Sequence, residues 1–207
     1  MPVQPDLHYA IGLPPEEALR YLAGKENYVP AFDWHTVWED AHARAFTVAK
    51  AMQVDLLKDV HTSLQDAMKN GWTVQQFRKD IEPTLQAKGW WGKKKETDPL
   101  TGQEKTVQLG SPRRLELIYR ANLSDAESAA RYQEFVESAP ARPYWQYCVV
   151  KDSRTRKTHL ALDGKVFRWD DPFWNTFWPP IDWGCRCYVR KLTAEQVRKE
   201  GLKVENY

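Results

Sequence analysis

Apolar residues recur three and four apart through the first two-thirds of the chain, and the spacing changes character near Tyr144. Pro14-Pro15-Glu16-Glu17, with Ala18 and Leu22 behind it, predicts a short helix that starts on proline and stops before Gly24. Residues 25–33 predict an extended connector. Val37, Ala41, Ala45, Val48, Met52, Leu56, Val60, Leu64 and Ala67 form one stripe. They predict a long amphipathic helix capped by Asp33, with a bend near Gln53–Asp55 and an end at Asn70-Gly71. Thr73 and Gln76 have capping-box spacing ahead of Phe77, Ile81 and Leu85, so a second helix is predicted to Gly89, kinked or split at Pro83. Residues 90–110 lose the helical period and predict a loop or hairpin around Asp98-Pro99-Leu100-Thr101-Gly102. Ser111-Pro112 opens a third helix, to about Ser138, whose apolar positions are Leu115, Ile118, Tyr119, Leu123, Ala126, Ala130 and Phe135.

From Tyr144 the pattern is aromatic and β-branched. Tyr144–Val150 predicts a strand, Leu162-Asp163-Gly164-Lys165 a tight turn into a second strand, and Cys185–Leu192 a third. Residues 168–184 predict irregular aromatic structure. Thr193 to Gln196 caps a last short helix that Gly201 ends. The expected fold is α+β: a helical N-terminal two-thirds with long amphipathic helices, then a small, loop-rich antiparallel β module. The expected segments are 1–33, 34–143 and 144–207.

Composition changes this picture little. The 207 residues carry a formal charge of +2 with 28% charged residues, an ordinary soluble balance that argues against strong polyanion binding. No run is apolar for the ~18 residues a membrane span needs, and Met1–His8 lacks the pattern of a secretory leader. Three cysteines cannot all pair internally, which favours a reducing compartment with free or metal-bound thiols. The ten tryptophans read either as bulky filling for a thin core or as an interface surface.

The candidate chemistry lies between Tyr144 and Leu192. Cys185 and Cys187 at i, i+2 present both sulfurs to one side of an extended chain, and a disulfide between them would close a strained ring. With His159 as a nitrogen ligand they could hold zinc, and Cys148 and Asp152 are the candidates for a fourth position. The alternative is two half-buried thiols beside a histidine bonded to a backbone carbonyl. Asp152, Arg154, Arg156 and His159 could also form a phosphodiester-cleaving set, with histidine as general acid/base and arginine against negative charge. Against that, Asp152 could simply pair with an arginine to hold the hairpin, and the module has a single histidine and no glutamate before Glu195. Lys93, Lys94, Lys95, Arg113, Arg114, Arg154, Arg156 and Arg186 are the candidate contacts to a nucleic-acid backbone.

The run Tyr144-Trp145, Asp152-x-Arg154-Thr155-Arg156-x-x-His159, Leu162-Asp163-Gly164, Asp171-Pro172-Phe173-Trp174, Pro179-Pro180-x-x-Trp183-x-Cys185-Arg186-Cys187 resembles the phage Mu protein F-like family. Asp33-Trp34, Val37-Trp38, His42, Gly89-Trp90-Trp91-Gly92 and Ser111-Pro112-Arg113-Arg114-Leu115 extend the resemblance upstream. It implies a minor head protein of a tailed double-stranded DNA phage or prophage, acting in head morphogenesis at or near the portal vertex. Portal and capsid proteins are the implied partners, with weak contact to packaged DNA and possible ejection with it. The implied place is the procapsid interior, reached from the host cytoplasm. The resemblance implies no established catalytic activity; some members of the family carry C-terminal toxin domains, and a chain ending at Tyr207 is expected to have none. A small nuclease and an accessory DNA-binding protein are the readings left beside it.

Overall fold

The computed structural model describes residues 16–32, 45–98, 101–182 and 184–207. It divides into two compact units, Met1–Glu127 and Ser128–Tyr207. Expectations that rest on Pro14-Pro15, on Asp33 to Ala41, on His42, on Pro99-Leu100 and on Trp183 lie outside the described residues.

In the first unit, α1 (Glu16–Ala23) buries Ala18 and Leu22. A parallel pair follows, β1 (Asn27–Tyr28) against β2 (Ala45–Phe46). α2 (Val54–Lys69) and α3 (Val74–Ala87) then pack by their apolar stripes, Leu56, Leu57, Val60, Leu64 and Ala67 on one and Phe77, Ile81 and Leu85 on the other. Lys88 ties them by reaching Asp55 at 2.7 Å and Asp59 at 2.5 Å. The Thr73–Gln76 capping box forms as its spacing predicts. β3 (Lys93–Thr97) and β4 (Glu104–Gln108) make the antiparallel hairpin.

Two expectations change here. The long helix does not extend back through residues 45–53: Ala45, Phe46, Val48 and Ala51 are buried, a set no single helical stripe gives, while Met52 of the predicted stripe is 49% exposed. Phe46 pairs in β2, Ala31 bridges to Ala49 and Ala51, and Lys50 at φ 64° turns the chain out of any helix. Pro83 does not split α3, which runs unbroken through it. Its ring is exposed, so the carbonyl left without an N–H partner one turn earlier faces water.

The boundary between the units falls within α4 (Pro112–Ser138). In the second unit the four-stranded sheet has the order β7-β5-β6-β8. β5 (Tyr144–Cys148) is antiparallel to β6 (Val166–Arg168) and β7 (Tyr188–Leu192), and β8 (Val204–Glu205) joins β6 in parallel. The parallel edge strand is a departure from a purely antiparallel module. One short helix, α5 (Lys157–Leu160), lies between β5 and the turn into β6, a second, α6 (Phe173–Phe177), stands where irregular chain was predicted, and α7 (Ala194–Lys199) follows the second capping box.

Strand alternation gives the sheet two faces. Trp145, Tyr147, Phe167 and Val189 join Phe135, Phe173 and Trp174 in an aromatic core. Val166, Leu192 and Val197 form a smaller cluster on the other side. Phe167 stacks on Phe173 with centroids 3.9 Å apart, and Trp145 meets Trp174 edge-on at 5.5 Å. Trp174 Nε1 donates to the Arg168 carbonyl and Trp178 Nε1 to the Ser128 hydroxyl, each at 2.9 Å. These tryptophans fill a core, which settles the choice between core and interface for Trp145 and Trp174.

Candidate metal centre

Three elements bring the site together. α5 carries His159, which is buried. Cys185 and Cys187 lie on the extended segment leading into β7, which begins three residues later than expected, at Tyr188. β5 supplies Tyr147 beneath them. The peptide bond between Pro179 and Pro180, upstream of the cysteines, is cis.

The two sulfurs converge on one nitrogen. His159 Nδ1 is 3.7 Å from Cys185 Sγ and 3.5 Å from Cys187 Sγ. The three ligand atoms lie within 4.8 Å of one another, the only such group among the described residues. Zinc bonds of ~2.3 Å to sulfur and ~2.0–2.1 Å to nitrogen at tetrahedral angles put sulfur and nitrogen about 3.6 Å apart. Packed thiols fit less well, because the one lone pair of Nδ1 accepts from a single S–H donor. The donor set of two thiols and an imidazole suits zinc, and the residues present fit it.

The surroundings hold this arrangement. On the far side of the ring, His159 Nε2 faces Asp182 Oδ2 at 3.9 Å, and Arg156 Nε meets the same oxygen at 3.2 Å. A carboxylate behind the ring favours the tautomer whose Nδ1 is free to ligate. Arg186, between the cysteines, grips Asp152 with both guanidinium nitrogens, at 2.7 and 2.6 Å. Asp152 Oδ1 also accepts from the Arg154 amide at 3.0 Å. Arg186 first, then that amide, holds the Asp152 carboxyl well below the usual carboxylate range. Asp152 therefore clasps the cysteine segment to the 150–156 loop, and its oxygens are committed to arginine.

Tyr147 is fully buried, and its hydroxyl has no hydrogen-bond partner in good geometry. Burial first, and then the neighbouring Cys187 and Cys185 sulfurs, push its phenol far up, so it stays a neutral donor. Burial also pushes the Cys187 thiol up to about 11, partly offset by the Tyr147 hydroxyl. The Cys187 thiol, which a bound cation would convert to thiolate, thus sits beside a buried donor without a partner. Sequence reasoning missed Tyr147 and Asp182. Tyr147 had one available signal, strand alternation, which puts it on the face opposite Cys148.

Cys148 does not join the cluster. It sits on the other face of the sheet, opposite Tyr188, with its thiol 3.7 Å from the Gln146 carbonyl. Burial pushes that thiol up. The candidate nucleic-acid residues are divided between the units. Lys93, Lys94 and Lys95 are exposed on β3, but alternation sends Lys94 to the opposite face from the other two. Arg113 is exposed, whereas Arg114 is turned inward. Arg114 donates to the carbonyls of Gln108, Leu109 and Ala49 and stacks on Trp90 at 4.8 Å, and burial pulls its pKa down to about 10. Arg154, Arg156 and Arg186 lie in the second unit around the cysteines. Among the described residues, no helix is long and apolar enough to cross a membrane.

The sequence profile described as Phage Mu protein F like protein matches residues 58–190, and the chain belongs to that family. It is 45% identical over 199 residues to the putative capsid assembly protein F of Escherichia phage Mu, covering 96% of this chain and 45% of that protein. It is 47% identical over 175 residues to the Mu-like prophage FluMu F protein of Haemophilus influenzae, covering 84% of this chain and 41% of that protein. The chain thus spans less than half the length of the curated relatives it matches. No solved structure matches it.

Proposed function

We propose that this chain acts in assembly of the head of a tailed double-stranded DNA phage or prophage, as a minor capsid component at or near the portal vertex. The observation that carries this reading is the family match, joined to identity along 96% of the chain with a protein named for capsid assembly. In this reading its partners are portal and capsid subunits, met in the host cytoplasm during assembly and retained inside the head. Contact with packaged DNA is weak, in keeping with a net charge of +2. The role is structural rather than catalytic: residues 144–194 hold a single histidine and no glutamate to serve as an acid/base pair. Deleting the gene and complementing it in trans tests this. Defective heads and co-purification of the chain with portal are expected. Normal heads and normal infectivity in the deletion phage would sink it.

Within that role, His159, Cys185 and Cys187 hold one zinc ion that locks the second unit. The 3.5 and 3.7 Å sulfur–nitrogen distances support this reading. Elemental analysis of the purified chain should give one zinc per chain, lost in Cys187→Ser. A chain purified under zinc-replete conditions with no bound metal contradicts it.

A further inference from the structure

The same site is shaped to take a ligand from outside the chain. Among the described residues no fourth His, Cys, Asp or Glu reaches the three-residue cluster. Asp152 is held by Arg186, and Cys148 lies on the other face of the sheet. Three protein ligands leave a tetrahedral ion one open position. His159, Cys185 and Cys187 line a cavity of ≈10 Å³ together with Arg154, Arg156 and Arg186. That volume is about one water-sized atom, room for the ion itself, so an external group would reach it from the arginine-lined mouth.

Among the described residues, the mouth is rich in arginine. Three guanidinium groups face two carboxylates: Asp152 pairs with Arg186 and Arg154, and Asp182 with Arg156. Arg154 is the looser of the two arginines on Asp152, at 3.5 Å against 2.6 Å for Arg186, and its side chain is 76% exposed. Guanidinium groups beside an open metal position favour an oxyanion, and the planar donor fork suits phosphoryl oxygens.

We propose that the cleft between the cysteine segment and the 150–156 loop binds a phosphate group, one oxygen completing the coordination of the zinc and Arg154 with Arg156 holding the others. The inference rests on the zinc reading above. The phosphate can be free or part of a nucleic-acid backbone, and the two sources are separable.

The full chain reconstituted with cobalt(II) in place of zinc provides the test, because visible absorption reports the ligands of a tetrahedral cobalt ion. Titration with inorganic phosphate should change the band positions, saturably and with one phosphate per metal. Arg154→Gln should keep its cobalt and weaken phosphate roughly tenfold, as loss of one charge-assisted contact does. The paired Arg154→Gln, Arg156→Gln variant should weaken it further. A single-stranded oligonucleotide is the second arm: the same spectral change identifies a backbone phosphate, and its failure beside a response to inorganic phosphate identifies the free ion. Stoichiometric cobalt with a spectrum indifferent to both ligands overturns the phosphate site and leaves the metal centre standing. A response that survives in the paired variant overturns the arginine assignment. A chain that takes up no cobalt overturns both readings.

Discussion

The two units solve the same stability problem with different material. The first buries aliphatic stripes: Leu56, Leu57, Val60 and Leu64 of α2 face Phe77, Ile81 and Leu85 of α3, and capping and surface pairs finish the helices. The second has short strands and short helices, so few residues are available to bury. It fills its interior with Trp145, Tyr147, Phe167, Phe173 and Trp174, and fastens its loops by ion pairs. Aliphatic helix faces tolerate adjustment along their length. A compact aromatic cluster under clasped loops depends on a few large side chains, and the candidate chemistry is built on that second kind of scaffold.

The sharpest break of this contrast is Trp174→Ala. It removes an indole that touches Trp145, Phe167, Phe173 and Trp178 and that donates to the Arg168 carbonyl. A loss of about 3–5 kcal/mol is expected, confined to the second unit. Near-ultraviolet circular dichroism should collapse while most helical signal persists. Loss of both signals together would show that the units unfold as one. Chelation comes next. With free zinc about 1,000 times its dissociation constant, the ion contributes about 4 kcal/mol to whichever unit binds it. A chelator should lower the midpoint of the aromatic signal alone. Equal shifts of the aromatic and helical signals would remove the zinc from its assigned place.

The same contrast explains what could be read in the sequence. Helices α2, α3 and α4, both capping boxes and the 93–108 hairpin follow from periodicity and from turn residues such as Thr73, Ser111 and Gly102, because those signals are local. Residues 45–53 misled the same rule. Ala45, Val48 and Met52 keep helical spacing, yet Phe46 is 1% exposed and Ala51 0%, so the stripe belonged to a segment enclosed by neighbours no local window contains. Cys185, Cys187 and His159 were legible as a group because their residue types are few. Asp182 and Tyr147 were not, since each acquires its role only through a contact made across the fold.

A milder probe addresses the first unit. His61 is buried on α2, with Nε2 2.7 Å from the Leu22 carbonyl and Nδ1 3.0 Å from the Tyr28 hydroxyl, and it stacks on Phe46. Burial first, with Lys25 adding to it and Glu26 opposing, pulls its pKa below 6.5. The unfolded chain then binds the proton more readily, so stability falls as pH falls. The His61 contribution is complete above about pH 6.5 and is lost as pH drops towards the folded value. Thermal unfolding from pH 7.5 to 5 should show the helical midpoint falling, and His61→Leu should flatten that slope. An unchanged slope in the variant would assign the sensitivity elsewhere.

The smallest effect is the most diagnostic, because its sign depends on the metal. In the metal-free chain the Tyr147 hydroxyl is buried without a partner, a condition that costs about 1–3 kcal/mol. Tyr147→Phe removes that cost with little change of shape, so the metal-free variant should be as stable as the parent or more so. Once zinc makes Cys187 and Cys185 thiolates, the same hydroxyl gains a charged acceptor, and bonds of that kind contribute about 1.5–3 kcal/mol. The zinc-loaded variant should then be the weaker of the two, with zinc bound roughly tenfold or more less tightly. Denaturant unfolding of both proteins, with and without zinc, reads the reversal directly. A variant less stable in both states would mean that the hydroxyl already has a partner in the bare fold. One with unaltered zinc affinity would mean that Tyr147 only fills the core, as Phe167 and Phe173 do, and that the aromatic floor and the metal centre are independent structures.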